Sequence, residues 1–145
     1  MSPMMRKFSP IAVLTTAALF SVGAWGQMWN LNPKAIEIAQ LPTFCWTQMG
    51  VPNANGPAYN FPRDCGPALN HYCPGLIKLI RAKKATKKGD RARNLLDADL
   101  DVRYTERGIQ KYPSCSIRPH VEATKIEVRS LMGMYNVQRP KKIEP

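Results

Sequence analysis

Residues 68–84 read ALNHYCPGLIKLIRAKK, and residues 121–135 read VEATKIEVRSLMGMY. In the first stretch Leu69, Tyr72, Cys73, Leu76, Leu79 and Ile80 recur at steps of three and four. In the second Val121, Thr124, Val128, Leu131, Met132 and Tyr135 recur at steps of three, four and seven. Such steps gather side chains on one face of a helix with about 3.6 residues per turn, not on one face of a strand. Both stretches are therefore predicted to be amphipathic helices, each with one face against a core. Pro74-Gly75 interrupts the first. That helix either kinks there or begins there, with Pro74 at a position where no N–H is needed. Its polar face continues through Arg81, Lys83 and Lys84 into a turn expected at Gly89.

Residues 90–110 fit two periods. Ala92, Leu95, Leu96, Leu100 and Tyr104 suit a helix face, yet Leu96, Ala98, Leu100, Val102 and Tyr104 also alternate with Asp97, Asp99, Asp101 and Arg103. Asp is a poor strand former and no second strand is visible to pair with, so helix is preferred. Toward the N-terminus, Asn32-Pro33 predicts a helix start, with Asn as cap and Pro at the first helical position. Ala35, Ile36, Ile38 and Ala39 would form its short apolar face, and Pro42 ends it or opens a second helix through Met49. Residues 51–67, VPNANGPAYNFPRDCGP, contain four prolines and read as a loop, with Tyr59 and Phe61 expected to pack on something. Tyr112 to Pro119 is a second loop. The expected fold class is all-α: a small helical-hairpin domain over residues 27–139 with Pro-rich, disulfide-stapled loops, then a polar tail at 140–145.

The chain has 145 residues, 44% of them hydrophobic, which suits one folded domain. Its first 26 residues have the layout of a secretory signal peptide: basic Arg6-Lys7, an uncharged run of 15 from Ile11 to Trp25, and small residues Ala24 and Gly26 before a cut. The run is shorter than the roughly 20 apolar residues of a membrane span. Cleavage after Gly26 takes 26 residues from 145 and leaves 119, and the loss of Arg6 and Lys7 lowers the formal charge from +11 to +9. The expected product is periplasmic or secreted, without a transmembrane span.

All four cysteines, Cys45, Cys65, Cys73 and Cys115, stay in that product, and in an oxidising compartment an even count reads as two disulfides. Four cysteines allow three pairings. If 68–84 and 90–110 form a hairpin, Cys65 and Cys115 come to its same end, and Cys45–Cys73 would tie the N-terminal helix to it. The alternative is a copper or zinc site of a small metal carrier, built from His71, Cys73 and one more thiolate. No Cys-x-x-Cys occurs, so the usual structural zinc spacing is missing. His71 itself is expected to bond a helix-end carbonyl.

Catalytic constellations are sparse. The two histidines are His71 and His120, and His71 stands two residues from Cys73, a spacing that does not bring side chains together on a helix. Asp97, Asp99 and Asp101 would fan around a helix and pair with Arg91, Arg93, Arg103 and Arg107 as salt-bridged surface. There is no Gly-rich phosphate loop and no Gly-x-Ser-x-Gly, so no enzyme is expected and no cofactor is implied. The run from Arg81 to Arg93 carries seven cations, Arg81, Lys83, Lys84, Lys87, Lys88, Arg91 and Arg93, against one acid. It is either a solvated helical tip or a patch for an anionic membrane leaflet, polymer or protein. Nucleic acid is not the expected partner of an exported chain.

Leu41-Pro-x-Phe-Cys45 and Asn70-His-Tyr-Cys-x-Gly-Leu-x-x-x-x-Arg-Ala82, with Cys115-Ser-Ile-x-Pro119 leading into Glu122–Tyr135, resemble exported bacterial proteins of the tetratricopeptide-repeat type. Gly133-x-Tyr135 is similar to the inter-helix turn of such a repeat. The resemblance covers roughly residues 38–138 and stops half-way through the last repeat, since Pro140 forbids a further helix. It implies helical hairpins and partner binding, and no catalytic residues. A half-finished repeat would expose Val128, Leu131, Met132 and Tyr135 to an envelope protein or to a second copy of the chain.

Overall fold

The structure, a computed structural model, describes residues 31–140. The signal peptide expected at 1–26 and the tail beyond Pro140 lie outside the described residues. Five α-helices are present among them: α1 (Ala35–Ile38), α2 (Thr43–Gln48), α3 (Tyr72–Lys84), α4 (Lys88–Ile109) and α5 (Arg118–Met134). Short 3₁₀ turns, Pro57–Tyr59, Arg63–Cys65 and Pro67–His71, punctuate the Pro-rich loop, and the described residues include no strand.

Three boundaries differ from the expected ones, each for a local reason. Helix α1 starts after Lys34, not at Pro33. Asn32 takes the left-handed region at φ +37°, and Glu37 Oε2 accepts the Lys34 N–H at 2.7 Å, closing the first turn. Helix α3 starts at Tyr72, and the residues before it stay in 3₁₀ geometry. Pro74 has no N–H for the carbonyl four residues back, and the Asn70 carbonyl instead accepts the Gln48 side-chain amide at 2.5 Å. The turn between α3 and α4 is Ala85 to Lys87, so Gly89 lies inside α4.

Helix α4 resolves the ambiguity of residues 90–110. Leu95, Ala98, Val102, Thr105 and Ile109 are buried at helical steps, whereas Leu100 and Tyr104, expected on the apolar face in either reading, are 55% and 46% exposed. Helices α3 and α4 run antiparallel. Ala82 packs near Leu95, Gly75 faces Asp101, and Gly108 faces Ala68 just ahead of α3. At Gly108 a Cβ would stand 2.0 Å from the Ala68 Cβ, so the absence of a side chain sets how closely the two segments cross. Helix α5 returns antiparallel to α4, with Lys125 paired to Glu106 and the Arg118 guanidinium donating to the Ile109 carbonyl at 2.8 Å.

The core along this three-helix layer consists of separate apolar clusters. Leu69, Tyr72, Val102, Ile109, Ile117 and Val121 fill one end, and Leu79, Ala82, Leu95, Ala98, Val128 and Met132 the other. Leu41, Cys45, Cys73 and Ile77 seat α2 on α3. Cys45–Cys73 and Cys65–Cys115 are disulfides, with Cα–Cα distances of 5.6 and 4.5 Å. The first ties α2 to the first turn of α3; the second joins the loop before α3 to the loop after α4. Disulfides are the mark of an oxidising, extracytoplasmic environment. No described helix is long and apolar enough to cross a membrane.

Candidate functional site

The α5 face expected to meet a partner is turned inward. Val128 is fully buried and Met132 is 6% exposed, packed on Leu79, Leu95 and Ala98, while Leu131 and Tyr135 are half-buried against the same cluster. The expectation of an open terminal face is corrected. Helix α4 runs 22 residues, long enough to cover the whole apolar stripe of α5 without a following repeat helix. The large apolar residues that α5 does expose are Ile126 and Met134.

The basic run does not survive as one patch. Arg81 donates from Nε to Glu37 Oε1 at 2.8 Å and from Nη2 to the Leu31 and Asn32 carbonyls, so it clamps the N-terminal segment onto α3. That guanidinium hydrogen bond holds the Glu37 carboxyl below its ordinary pKa, over the opposing effect of burial. Lys83 pairs with Glu127. Arg91 lies 4.4 Å over the Tyr135 ring and donates to the Ala85 carbonyl, joining the hairpin turn to the end of α5. Lys84, Lys87, Lys88 and Arg93 remain exposed and make no ion pair among the described residues.

The expected ion pairing of the acidic trio is present at Asp99 with Arg103, but its surface location is not: Asp97 is half-buried, and Asp99 and Asp101 are buried at 2% and 7% exposure. Asp99 receives Arg139 from Nε and Nη2 at 2.8 and 2.7 Å, and Arg103 Nε stands 2.8 Å away as an ion pair without hydrogen-bond geometry. Burial opposes ionisation of Asp99, but the two guanidiniums outweigh it and hold the carboxyl below its usual pKa. Asp101 takes the Lys78 ammonium at 2.7 Å and has His71 Nδ1 at 3.3 Å.

His71 thus faces a carboxylate rather than a helix-end carbonyl, with its ring 4.2 Å from that of Tyr104. Asp101 is its hydrogen-bond partner among the described residues, so the carboxylate orients the imidazole through Nδ1. Cys73 is fully buried in its disulfide and has no thiolate to give, which removes His71 and Cys73 as a metal pair in the oxidised protein. Among the described residues no three His, Cys, Asp or Glu side chains gather as a metal site.

A different feature is the open concavity that the Pro-rich loop builds against α2 and the start of α3. It is a groove of about 730 Å³ lined by Leu31, Pro33, Thr47, Met49, Phe61, Pro62, Arg63, Pro67, Asn70 and Pro74, among others. Each wall follows from local chemistry. Gly66, at φ +71°, reverses the loop so that Pro67 and Asn70 face back toward Phe61 and Pro62, and the Tyr112 ring occupies the space a Cβ there would need. Phe61 is held edge-on to Phe44 at 6.3 Å. Thr43 and Thr47 donate to the Ala58 and Tyr59 carbonyls, fastening the far side of the loop to α2. Asp64 accepts the Ser116 N–H at 2.8 Å, which anchors the loop beside Cys65–Cys115. The site was not foreseen from sequence, although the prolines and the Tyr59–Phe61 pair were its signal. Compared with known protein families, curated proteins and solved structures, the chain has no match.

Proposed function

We propose that the protein is an exported, non-enzymatic binding module whose binding site is the groove between α2 and the proline-bounded start of α3. The observation that carries this reading is the groove itself. Its lining is apolar, and its volume falls within the roughly 300–1,000 Å³ of sites that take a single small ligand or segment. The two disulfides support action in the periplasm or outside the cell. The antiparallel α3–α4 pair followed by α5 supports the tetratricopeptide-like reading, as one helical pair plus the first helix of the next. In that reading α5 closes the core, and the groove rather than α5 meets the envelope partner.

The test is a titration of the oxidised, folded protein with 1-octanol, an uncharged apolar probe, followed by backbone amide NMR. Shifts confined to residues 47–50 and 61–70, abolished by Met49→Glu, are expected. Shifts centred on α5, or none, refute the groove as the site. A second reading rests on Lys84, Lys87, Lys88 and Arg93, which leave the hairpin tip positively charged and unpaired among the described residues. Attachment to an anionic surface through them predicts vesicle binding that weakens steeply with added salt and disappears when the three lysines become glutamine.

A further inference from the structure

The groove's polar groups are placed in a way that selects among apolar ligands. Pro33, Pro62, Pro67 and Pro74 supply wall without a single backbone N–H, and Leu31, Met49 and Phe61 add apolar surface. Such a wall gives dispersion and desolvation but no ladder of donors for the carbonyls of an extended peptide. The formal charge in the lining is Arg63, whose side chain is exposed and has no ion-pair or hydrogen-bond partner among the described residues. Its neighbour Asp64 does not neutralise it. Asp64 is turned away, with Oδ2 accepting the Ser116 N–H at 2.8 Å and Oδ1 accepting the Ser116 hydroxyl at 3.3 Å. Elsewhere the cations that touch packed structure, Arg81, Arg103, Arg118 and Arg139, are committed to carboxylates or carbonyls. Arg63 therefore stands as an uncommitted guanidinium beside an apolar trough, which is the complement of a ligand with an apolar tail and an anionic head.

We propose that the groove binds a single-chain anionic amphiphile, its chain along the proline-lined wall and its carboxylate or phosphate head on Arg63. This inference rests on the groove being the binding site. It adds a head-group preference that the site alone does not require.

The experiment compares dodecanoate, dodecyl phosphate, dodecanol and dodecyltrimethylammonium, each below its micellar concentration, by calorimetry on the oxidised protein. Dodecanoate or dodecyl phosphate is expected to bind one per chain. The trimethylammonium analogue should bind about tenfold more weakly, as expected for loss of one charge-assisted contact at an exposed site. Whichever of the two anions binds tighter tells a carboxylate source from a phosphate source. Arg63→Glu should abolish or reverse the preference while leaving the near-UV circular dichroism and the melting temperature unchanged, because Arg63 holds no other group in place. Equal affinities for the anionic and cationic heads overturn the proposal. So does a preference that persists in Arg63→Glu, which would assign it to the chain's overall positive charge. If dodecanol binds and the anions bind no tighter, the groove stands and the head-group inference falls. If none of the four binds, both fall.

Discussion

Replacing Asp99 by Asn tests whether the segment that follows α5 is held by a buried ion cluster at Arg139. Asn keeps the size and one acceptor of Asp99 but removes the charge that Arg139 and Arg103 share. Breaking a fully buried pair costs about 3–5 kcal/mol. Here the two guanidinium side chains are 42% and 32% exposed, so they rehydrate when the charge is lost. The expected cost is therefore about 2 kcal/mol. For a domain of this size that lowers the melting temperature by on the order of 8 °C.

The sign of the pH dependence follows from the direction of the shift. The folded carboxyl is held below its unfolded value of about 3.9. Its contribution is fully present above the unfolded value and is lost as pH falls through the folded one. Thermal melts of the protein and Asp99→Asn, followed by circular dichroism, should differ most near neutrality, and the gap should narrow as acidification takes the solution below the ordinary carboxylate range. Arg139→Gln should produce part of the same loss, and the double variant should lose less than the two single losses combined. A gap of under about 2 °C at neutral pH, or one that does not narrow at all on acidification, would refute the cluster as a source of stability.

Gly108→Ala should destabilise the fold by about 1–3 kcal/mol, because the new methyl meets the Ala68 Cβ at 2.0 Å; Ala68→Gly in the same chain should recover most of it in urea titrations. Met132→Lys should cost about 2–5 kcal/mol and shift the urea midpoint accordingly, since Met132 is 6% exposed, whereas Ile126→Lys at 67% exposure should leave it within about 0.5 kcal/mol. Loss of Cys45–Cys73 or Cys65–Cys115 by double Ser substitution should cost about 3.5 and about 4 kcal/mol, because the bridges span 28 and 50 residues. Equal midpoints for the two double variants would argue that effects in the native state, not loop closure, dominate.

The helices themselves were legible from periodicity, because each of α3, α4 and α5 must put apolar side chains on one face to bury them, and three- and four-residue steps record that requirement. Their order also constrained the cysteines. Once residues 68–84 and 90–110 fold back on each other, Cys65 and Cys115 are brought to one end, where the structure joins them. Burial of charge was not legible. Asp99 and Asp101 look like surface acids on a helix, and only the approach of Arg139 from beyond α5 and of Lys78 and His71 from α3 and its lead-in makes their burial tolerable. The same is true of Val128 and Met132, whose apolar stripe could serve equally as core or as docking face until α4 is found to be long enough to cover it. The run from Arg81 to Arg93 is continuous in sequence, but its members leave the helix ends in different directions, so Glu37, Glu127 and Tyr135 divide it. The groove belongs wholly to the tertiary structure. It exists because Gly66 turns the loop, the threonines of α2 pin it and the disulfides hold both ends, and none of those distances is encoded in a local pattern.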